Sequence, residues 1–389
     1  MVDRLAQFPV GASVTTERLE SGLHETFAEL RSREPVSWVP ALDAWLITSR
    51  AACVEVMRDS ETFTVDDPRF STAQVLGPSM LSLDGSEHAR HRDPFAEAFR
   101  VAEVRVAFAG SVADLADEIV SELRPRRRAE LRRDLAGPLA ARVMALALDL
   151  VEVDTATLLA WYGDIVGAVN AISAGDADTA AARKAVESLA ARVGATVDAG
   201  HGVLAGAKGE LNDAEIVANT GVLLFGGIET TEGMIANLFM HLLGDPTQWT
   251  MISGDRSLIA NAIDESLRLE PSVVRVDRYA TRDTTLNGAH IERGDFVIVM
   301  IAAANRDPAA FPQPDRFDVR RANSKQHLTF AHGPHACLGI HLARLEAHAA
   351  VTAGLDTLPG LRLDSGTPRL TPAGTVFRKP DRVDVVWDP

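Results

Sequence analysis

Apolar side chains recur at three- and four-residue spacing through most of the chain before Pro271, as in Val112, Leu115, Ile119 and Leu123, or Leu158, Trp161, Ile165 and Val169. That period marks amphipathic helices. Strand-like runs are short: Val36 to Val39, Ala44 to Thr48, and Phe296 to Ile301. Thr284 to Asn287 faces His290 to Arg293 across Asn287-Gly288, a dipeptide suited to a tight hairpin. The pattern predicts a mainly α protein with small antiparallel sheets.

The longest periodic segment opens at Asn212, with Glu215 three residues on as a capping box, and closes at Gly244 shortly before Pro246. One helix over that range would be on the order of 50 Å long. Its middle reads Leu224-Phe225-Gly226-Gly227-Ile228-Glu229-Thr230-Thr231. Two glycines inside a helix cost roughly 1 kcal/mol each relative to alanine, so something is expected to approach the backbone there. Ala171 to Lys208, rich in Ala, Gly and Asp, reads either as a lid or as an ordinary surface helical hairpin.

The formal charge of -15 speaks against nucleic acid as a partner, because counterion release needs a basic face. No apolar run approaches the roughly 20 residues that cross a bilayer, and the first residues lack the apolar core of a secretory signal. Cys53 and Cys337 stand far apart in unrelated contexts, which leaves no disulfide framework. These features together predict a cytoplasmic protein with no membrane association.

The sharpest chemical signal is Phe330-Ala331-His332-Gly333-Pro334-His335-Ala336-Cys337-Leu338-Gly339, of the form F-x-x-G-x-x-x-C-x-G. From average composition, those four fixed positions coincide on the order of a few times per million windows. A turn held open by Gly333 would deliver Cys337 to the start of an amphipathic helix, whose unpaired N–H groups favour the thiolate. Gly339 would let the helix lie against a flat cofactor, and Phe330 could shield the sulfur from water. Two other readings stand beside this one. Cys337 could be an inert core cysteine, or zinc could take ligands from His332, His335, Cys337 and His341. Zinc, however, has no need of Phe330, Gly333 or Gly339.

This segment resembles the cysteine loop of the cytochrome P450 superfamily, in particular its soluble bacterial members, and the similarity extends over nearly the whole chain. The resemblance implies the P450 fold as a single domain over residues 1–389, a monomer, a heme b held by Cys337 as the metal ligand, and monooxygenation with dioxygen as co-substrate. Glu265-Ser266-Leu267-Arg268 is similar to the family's E-x-x-R pair; spacing of three puts both charges on one helix face. Such a pair taken alone is more often a solvated surface contact. The family adds a third charged partner, for which Arg316 is the first candidate and Arg321 the second, and the implied role is structural.

The glycine-paired helix resembles the family's distal helix, with Gly226 at the small-residue step, Thr230 as the catalytic hydroxyl and Glu229 as the acid that admits water-borne protons. Cleaving the O–O bond heterolytically needs protons delivered to the distal oxygen, which a positioned alcohol and a relayed carboxylate can do. In isolation, Thr230 and Thr231 would be read as bonding back to helix carbonyls. By the same resemblance His88, Arg92, Arg278 and His335 carry over as partners of the heme propionates, although each alone would pass for a surface charge. Relatives often place glycine where Ala331 stands.

No flavin or nicotinamide fingerprint follows a strand, so electrons are expected from a separate ferredoxin and its reductase. Arg90, Arg100 and Arg344 are candidates for a basic docking patch. Substrate contacts implied by the family fall on the loop around Pro68 to Pro78, on Leu223 and Phe225, on Val273 and Val274, and on a turn near Thr375 to Phe377. That lining suits a small, largely apolar organic molecule.

Overall fold

The computed structural model describes residues 4–173, 180–200, 202–366 and 370–389. The chain folds into two compact units: Met1–Val65, Met240–Cys337 and Thr371–Asp381 form one, and Asp66–Phe239, Leu338–Leu370 and Arg382–Pro389 the other.

The first unit is built on a five-stranded sheet. Its strands lie in the order Val36–Val39, Ala44–Ile47, Phe296–Val299, Val276–Ala280, Phe63–Thr64. The second and third pair in parallel, with Leu46 opposite Ile298, and the other pairs are antiparallel. Alternation sorts the side chains into two cores. Trp45, Ile47, Val297 and Val299 pack with Cys53, Val56 and Met57 in one, while Ala44, Leu46, Ile298 and Met300 pack with Leu23, Phe27 and Leu30 in the other. A strand covered on both sides loses the apolar-polar alternation that marks a half-exposed one, and Ala44–Ile47 is buried throughout.

The hairpin at Asn287-Gly288 forms as its sequence requires: Thr284–Leu286 pairs with Ala289–Ile291, and both turn residues have positive φ, 47° and 82°. The strand predicted to reach Ile301 ends at Val299. The Ala302-Ala303-Ala304 run favours helix, and Ile301–Ala304 forms a helical turn instead. The strands Phe63–Thr64 and Val276–Ala280, along with the three short strands of the second unit, give no recognisable periodicity.

The second unit is mainly helical. Ala109–Leu123 buries Val112, Ala116, Ile119 and Leu123 on one side, as its spacing predicts. The helices Thr155–Ser173 and Ala180–Asp198 pack side by side, which is the hairpin reading of the alanine-rich region; residues 174–179 and 201 of the lid candidate lie outside the described residues. Arg128–Glu130, Asp384–Val386 and Arg362–Leu363 make a small antiparallel sheet. Among the described residues no helix is long and apolar enough to cross a membrane.

The long helix runs Asp213–Gly244, 32 residues. Its capping box is reciprocal: Glu215 N–H donates to Asn212 Oδ1 at 3.0 Å, and Asn212 N–H donates to Glu215 Oε2 at 2.9 Å.

A buried ionic cluster in the first unit holds the C-terminal hairpin in place. Glu270 accepts from Arg378 Nε at 3.0 Å and meets His24 Nε2 at 3.0 Å, with Arg306 at 3.5 Å. Arg378 N–H donates to Ser272 O at 2.9 Å, and Val274 N–H to Val376 O at 2.8 Å, so residues 371–381 are stitched to the segment after Glu270. Burial would raise the Glu270 carboxyl, but His24, Arg306 and Arg378 outweigh it and hold it down at about 2. A depressed carboxylate contributes stability that is fully present above its ordinary value of 4.5 and is lost as pH falls towards 2. The loss is on the order of 3 kcal/mol. Melting temperatures followed between about pH 2 and 6 should therefore fall more steeply for the wild type than for Glu270→Gln. Parallel curves would show that the cluster does not drive the acid transition.

Candidate active site

The cysteine loop is fixed from the helix Ile259–Leu269. Glu265 and Arg268 on that helix are both fully buried and joined at 2.7 Å. Arg268 uses all five of its donors: Nε and one terminal nitrogen on Glu265, and the rest on the carbonyl oxygens of Asn305, Pro314 and Arg316. Glu265 also accepts from Arg321 Nε at 2.9 Å and from Asp318 N–H at 3.1 Å. The pair is thus a buried structural hub, not a solvated surface contact.

Arg321 is the third member, and the expectation for Arg316 is corrected. The Arg316 side chain is exposed, with only Asp318 at 3.9 Å, and it is the backbone oxygen of Arg316 that the network uses. Position decides this. Arg321 follows the turn that donates Asp318 N–H to Glu265, and so its side chain returns to the same carboxylate.

Asn305 relays the hub to the cysteine loop. Its Oδ1 accepts from Leu328 N–H at 2.6 Å and its Nδ2 donates to Thr329 Oγ1 at 2.9 Å, while that hydroxyl donates to Leu267 O at 2.7 Å. His327 adds a 3.4 Å contact to Asp264. Spacing within Asn305-Arg306-Asp307-Pro308 suggests a loop but gives no sign of this relay.

From there the chain makes two left-handed turns, at Ala331 with φ 58° and Gly333 with φ 75°. A Cβ on Gly333 would stand 2.4 Å from Met57 O, so only glycine fits. Ala331 has no such relief, and a side chain in that conformation costs roughly 1–2 kcal/mol. The loop closes where Cys337 N–H donates to Phe330 O at 2.8 Å, and Gly339 is the N-cap of the helix Ile340–Thr357. Cys337 is exposed, unlike Cys53, whose thiol is buried and pushed up in pKa by that burial. The inert-core reading therefore fits Cys53 and not Cys337. Phe330 is half-buried beside the ring of His327, 5.6 Å away. His335 ends the turn Gly333–His335, and Arg278 is buried on the strand Val276–Ala280, donating to Asp277 O at 2.7 Å. Among the described residues no group of three or more His, Cys, Asp or Glu is arranged to hold a metal ion, so the four-ligand zinc alternative lacks its geometry.

On the long helix, every residue from Thr220 to Met240 is buried except Gly226, Gly227 and Thr230. Their spacing puts them on one face. Gly227 is explained by packing, since a Cβ there would meet Met144 Sδ at 2.2 Å. Gly226 is different: a Cβ there would meet nothing within 4 Å. Thr230 Oγ1 donates to Gly226 O at 2.5 Å, and Glu229 is buried on the adjoining face. Leu223 and Phe225 are buried as well. His88 and Arg92 stand one turn apart on the helix Gly85–Ala96, the histidine buried and the arginine half-buried.

The thiol is accessible at the end of an over-determined loop, and a bare strip of helix presents one hydroxyl and no side chain at Gly226. Of the basic residues nominated for docking, Arg90 is committed elsewhere, to Glu215 at 2.7 Å and Glu87 at 2.8 Å, whereas Arg100 is exposed.

A family model described as cytochrome P450 matches residues 248–359. The chain is 31% identical to the 20-oxo-5-O-mycaminosyltylactone 23-monooxygenase of Streptomyces fradiae, over 87% of this chain and 83% of that one. It is 32% identical to the mycinamicin IV hydroxylase/epoxidase of Micromonospora griseorubida, over 93% and 94% of the two chains. Among solved structures, CalO2 superposes with a TM-score of 0.87 at 26% identity, covering 95% of this chain and 97% of that one.

Removing Arg321 takes one charged hydrogen bond from the buried Glu265 Oε1, which keeps Arg268 Nη2 and the Asp318 N–H, so Arg321→Ala should destabilise the protein by about 2 kcal/mol in chemical denaturation. Arg316→Ala should change stability by under about 0.5 kcal/mol. Equal effects would refute the assignment. Ala331→Gly should raise stability by about 1 kcal/mol by relieving the left-handed strain, provided that the midpoint moves and the denaturant slope does not.

Proposed function

The chain belongs to the cytochrome P450 family of monooxygenases, and on that premise we propose that it binds heme b through Cys337 and oxidises a small, largely apolar organic substrate. The observation that carries the reading is the accessible Cys337 thiol at the end of a loop whose backbone is fixed by the Glu265–Arg268–Arg321 hub and the Asn305 relay. When bound, the heme supplies activation of dioxygen for insertion of one oxygen atom into the substrate.

The chain's own residues then have distinct tasks. Cys337 Sγ would be the iron ligand, with the N–H groups at the start of the helix Ile340–Thr357 favouring its thiolate form. Phe330 and Gly339 flank it, the first to exclude water and the second to allow close approach. Arg278, His335, His88 and Arg92 would hold the propionates. Glu229 passes protons inward, and Thr230 holds a proton at Oγ1, next to the open backbone at Gly226. Leu223, Phe225, Val273 and Val274 face the substrate, and their apolar character selects against heavily hydrated molecules.

Residues 1–389 act as a single catalytic domain in the cytoplasm. Electrons come from a ferredoxin and its reductase, with Arg100 and Arg344 as basic contacts now that Arg90 is engaged.

Dithionite-reduced protein should show a Soret band displaced far to the red on addition of carbon monoxide, and Cys337→His should lack it. A Cys337→His variant that keeps the displaced band would remove the ligand assignment. With electrons supplied, Thr230→Ala should divert roughly tenfold more of the reducing equivalents into peroxide, at the scale of one lost general-acid contact. Unchanged coupling would relieve Thr230 of that role.

A further inference from the structure

One guanidinium in the first unit contrasts with Arg268 at its Nε. Arg275 follows Val273 and Val274 directly, and its side chain is only 14% exposed. Its Nε is buried without a hydrogen-bond partner. The one carboxylate within ion-pair reach among the described residues, Asp277 Oδ1, lies 3.4 Å from Nε and is itself buried without a hydrogen bond. A buried N–H donor that makes no hydrogen bond is unfavourable unless a ligand completes it.

Arg275 lines a cleft with Leu19, Leu23, Leu42, Met300 and Thr375, with Glu20 on its exposed rim. The cleft has a volume of about 60 Å3, room for a headgroup and not for a whole substrate. Its walls are fixed. Thr375 belongs to the hairpin that the Val274–Val376 and Arg378–Ser272 backbone bonds and the Arg378–Glu270 ion pair tie down. Gly374 makes that hairpin turn with φ 110°, where a Cβ would collide with Phe377 O. A pre-formed cleft with aliphatic walls, the hydroxyls of Thr16 and Thr375 and a guanidinium whose Nε is unused matches a carboxylate at the end of an apolar chain.

We propose that Arg275 binds the carboxylate of an acidic, otherwise apolar substrate and so fixes which part of the molecule is oxidised. This rests on Val273 and Val274 being substrate-facing, and it refines the substrate class from apolar to apolar with one anionic end.

The test compares tetradecanoic acid with its methyl ester on the heme-loaded enzyme, by calorimetry and by the ligand-induced change in the heme absorption. The wild type should bind the acid at least about tenfold more tightly than the ester, the scale of one charged hydrogen-bonded contact. Arg275→Gln should bring the two within about twofold, and Arg275→Lys should restore part of the preference, with the carbon monoxide spectrum of both variants unchanged. No measurable binding of the acid, equal binding of acid and ester to the wild type, or a preference that survives in Arg275→Gln would overturn the proposal. Loss of heme from Arg275→Gln would also overturn it by assigning the residue to the cofactor. A wild type with no red-shifted carbon monoxide band would instead reject the heme-thiolate reading, and the calorimetric comparison would still decide the carboxylate site.

Discussion

Glu265 and Arg268 carry opposite charges into a place where neither side chain touches solvent. Desolvating two ions is so costly that their attraction repays it only when every remaining lone pair and proton is also used. Here they are used. Arg268 spends five donors on one carboxylate and three carbonyl oxygens, and Glu265 gains Arg321 and a backbone N–H. Those three carbonyls belong to Asn305, Pro314 and Arg316, in a stretch with no regular structure to hold it. The hub therefore does for this stretch what a sheet ladder does for a strand: it satisfies the backbone and fixes its course. Asn305 passes the order on to Leu328 and Thr329, and the next residues are the cysteine loop. A thiol at the end of an unsupported loop would sample many positions; the loop of this one has its backbone fixed on both sides of Phe330.

Much of this could be read from residues alone, and the reasons are physical. The long helix announces itself because Asn212 and Glu215 cap it reciprocally and Gly244 ends it, all within local reach. Asn287-Gly288 specifies its turn because both residues tolerate positive φ. The Cys337 segment is legible because glycine at position 333 answers two constraints at once, a left-handed conformation and a carbonyl at van der Waals distance. Long-range pairing is another matter. Whether Arg316 or Arg321 reaches Glu265 depends on how the chain turns around Asp318, and spacing carries no record of that. The same holds for Glu270, whose partners His24, Arg306 and Arg378 come from three distant parts of the sequence. Outside the hairpin, the strands of two or three residues offer too few positions for a period to be read, and Val276–Ala280 carries Asp277 and Arg278 side by side, which breaks any alternation.

Arg268 and Arg275 show how opposite fates follow from the same side chain seven residues apart. Both are withdrawn from water. One is saturated by its surroundings and can serve only the fold. The other keeps its Nε unused beside an aliphatic cleft. Because folding stability is a small difference between large terms, a buried donor left in that state is a cost to the fold that a ligand in the cleft would relieve.

Thr230 admits a reading that unites its structural and chemical interpretations. The hydroxyl donates to Gly226 O, the back-bond expected of any threonine within a helix. That donation commits the single hydroxyl proton along the helix axis and leaves the oxygen's lone pairs for the accessible face. A threonine so arranged accepts a hydrogen bond from whatever lies beside it before it can give one, and it donates only if the bond to Gly226 is released. The back-bond is therefore compatible with proton transfer: it sets the direction in which Thr230 first interacts and makes its donation conditional on a change at Gly226.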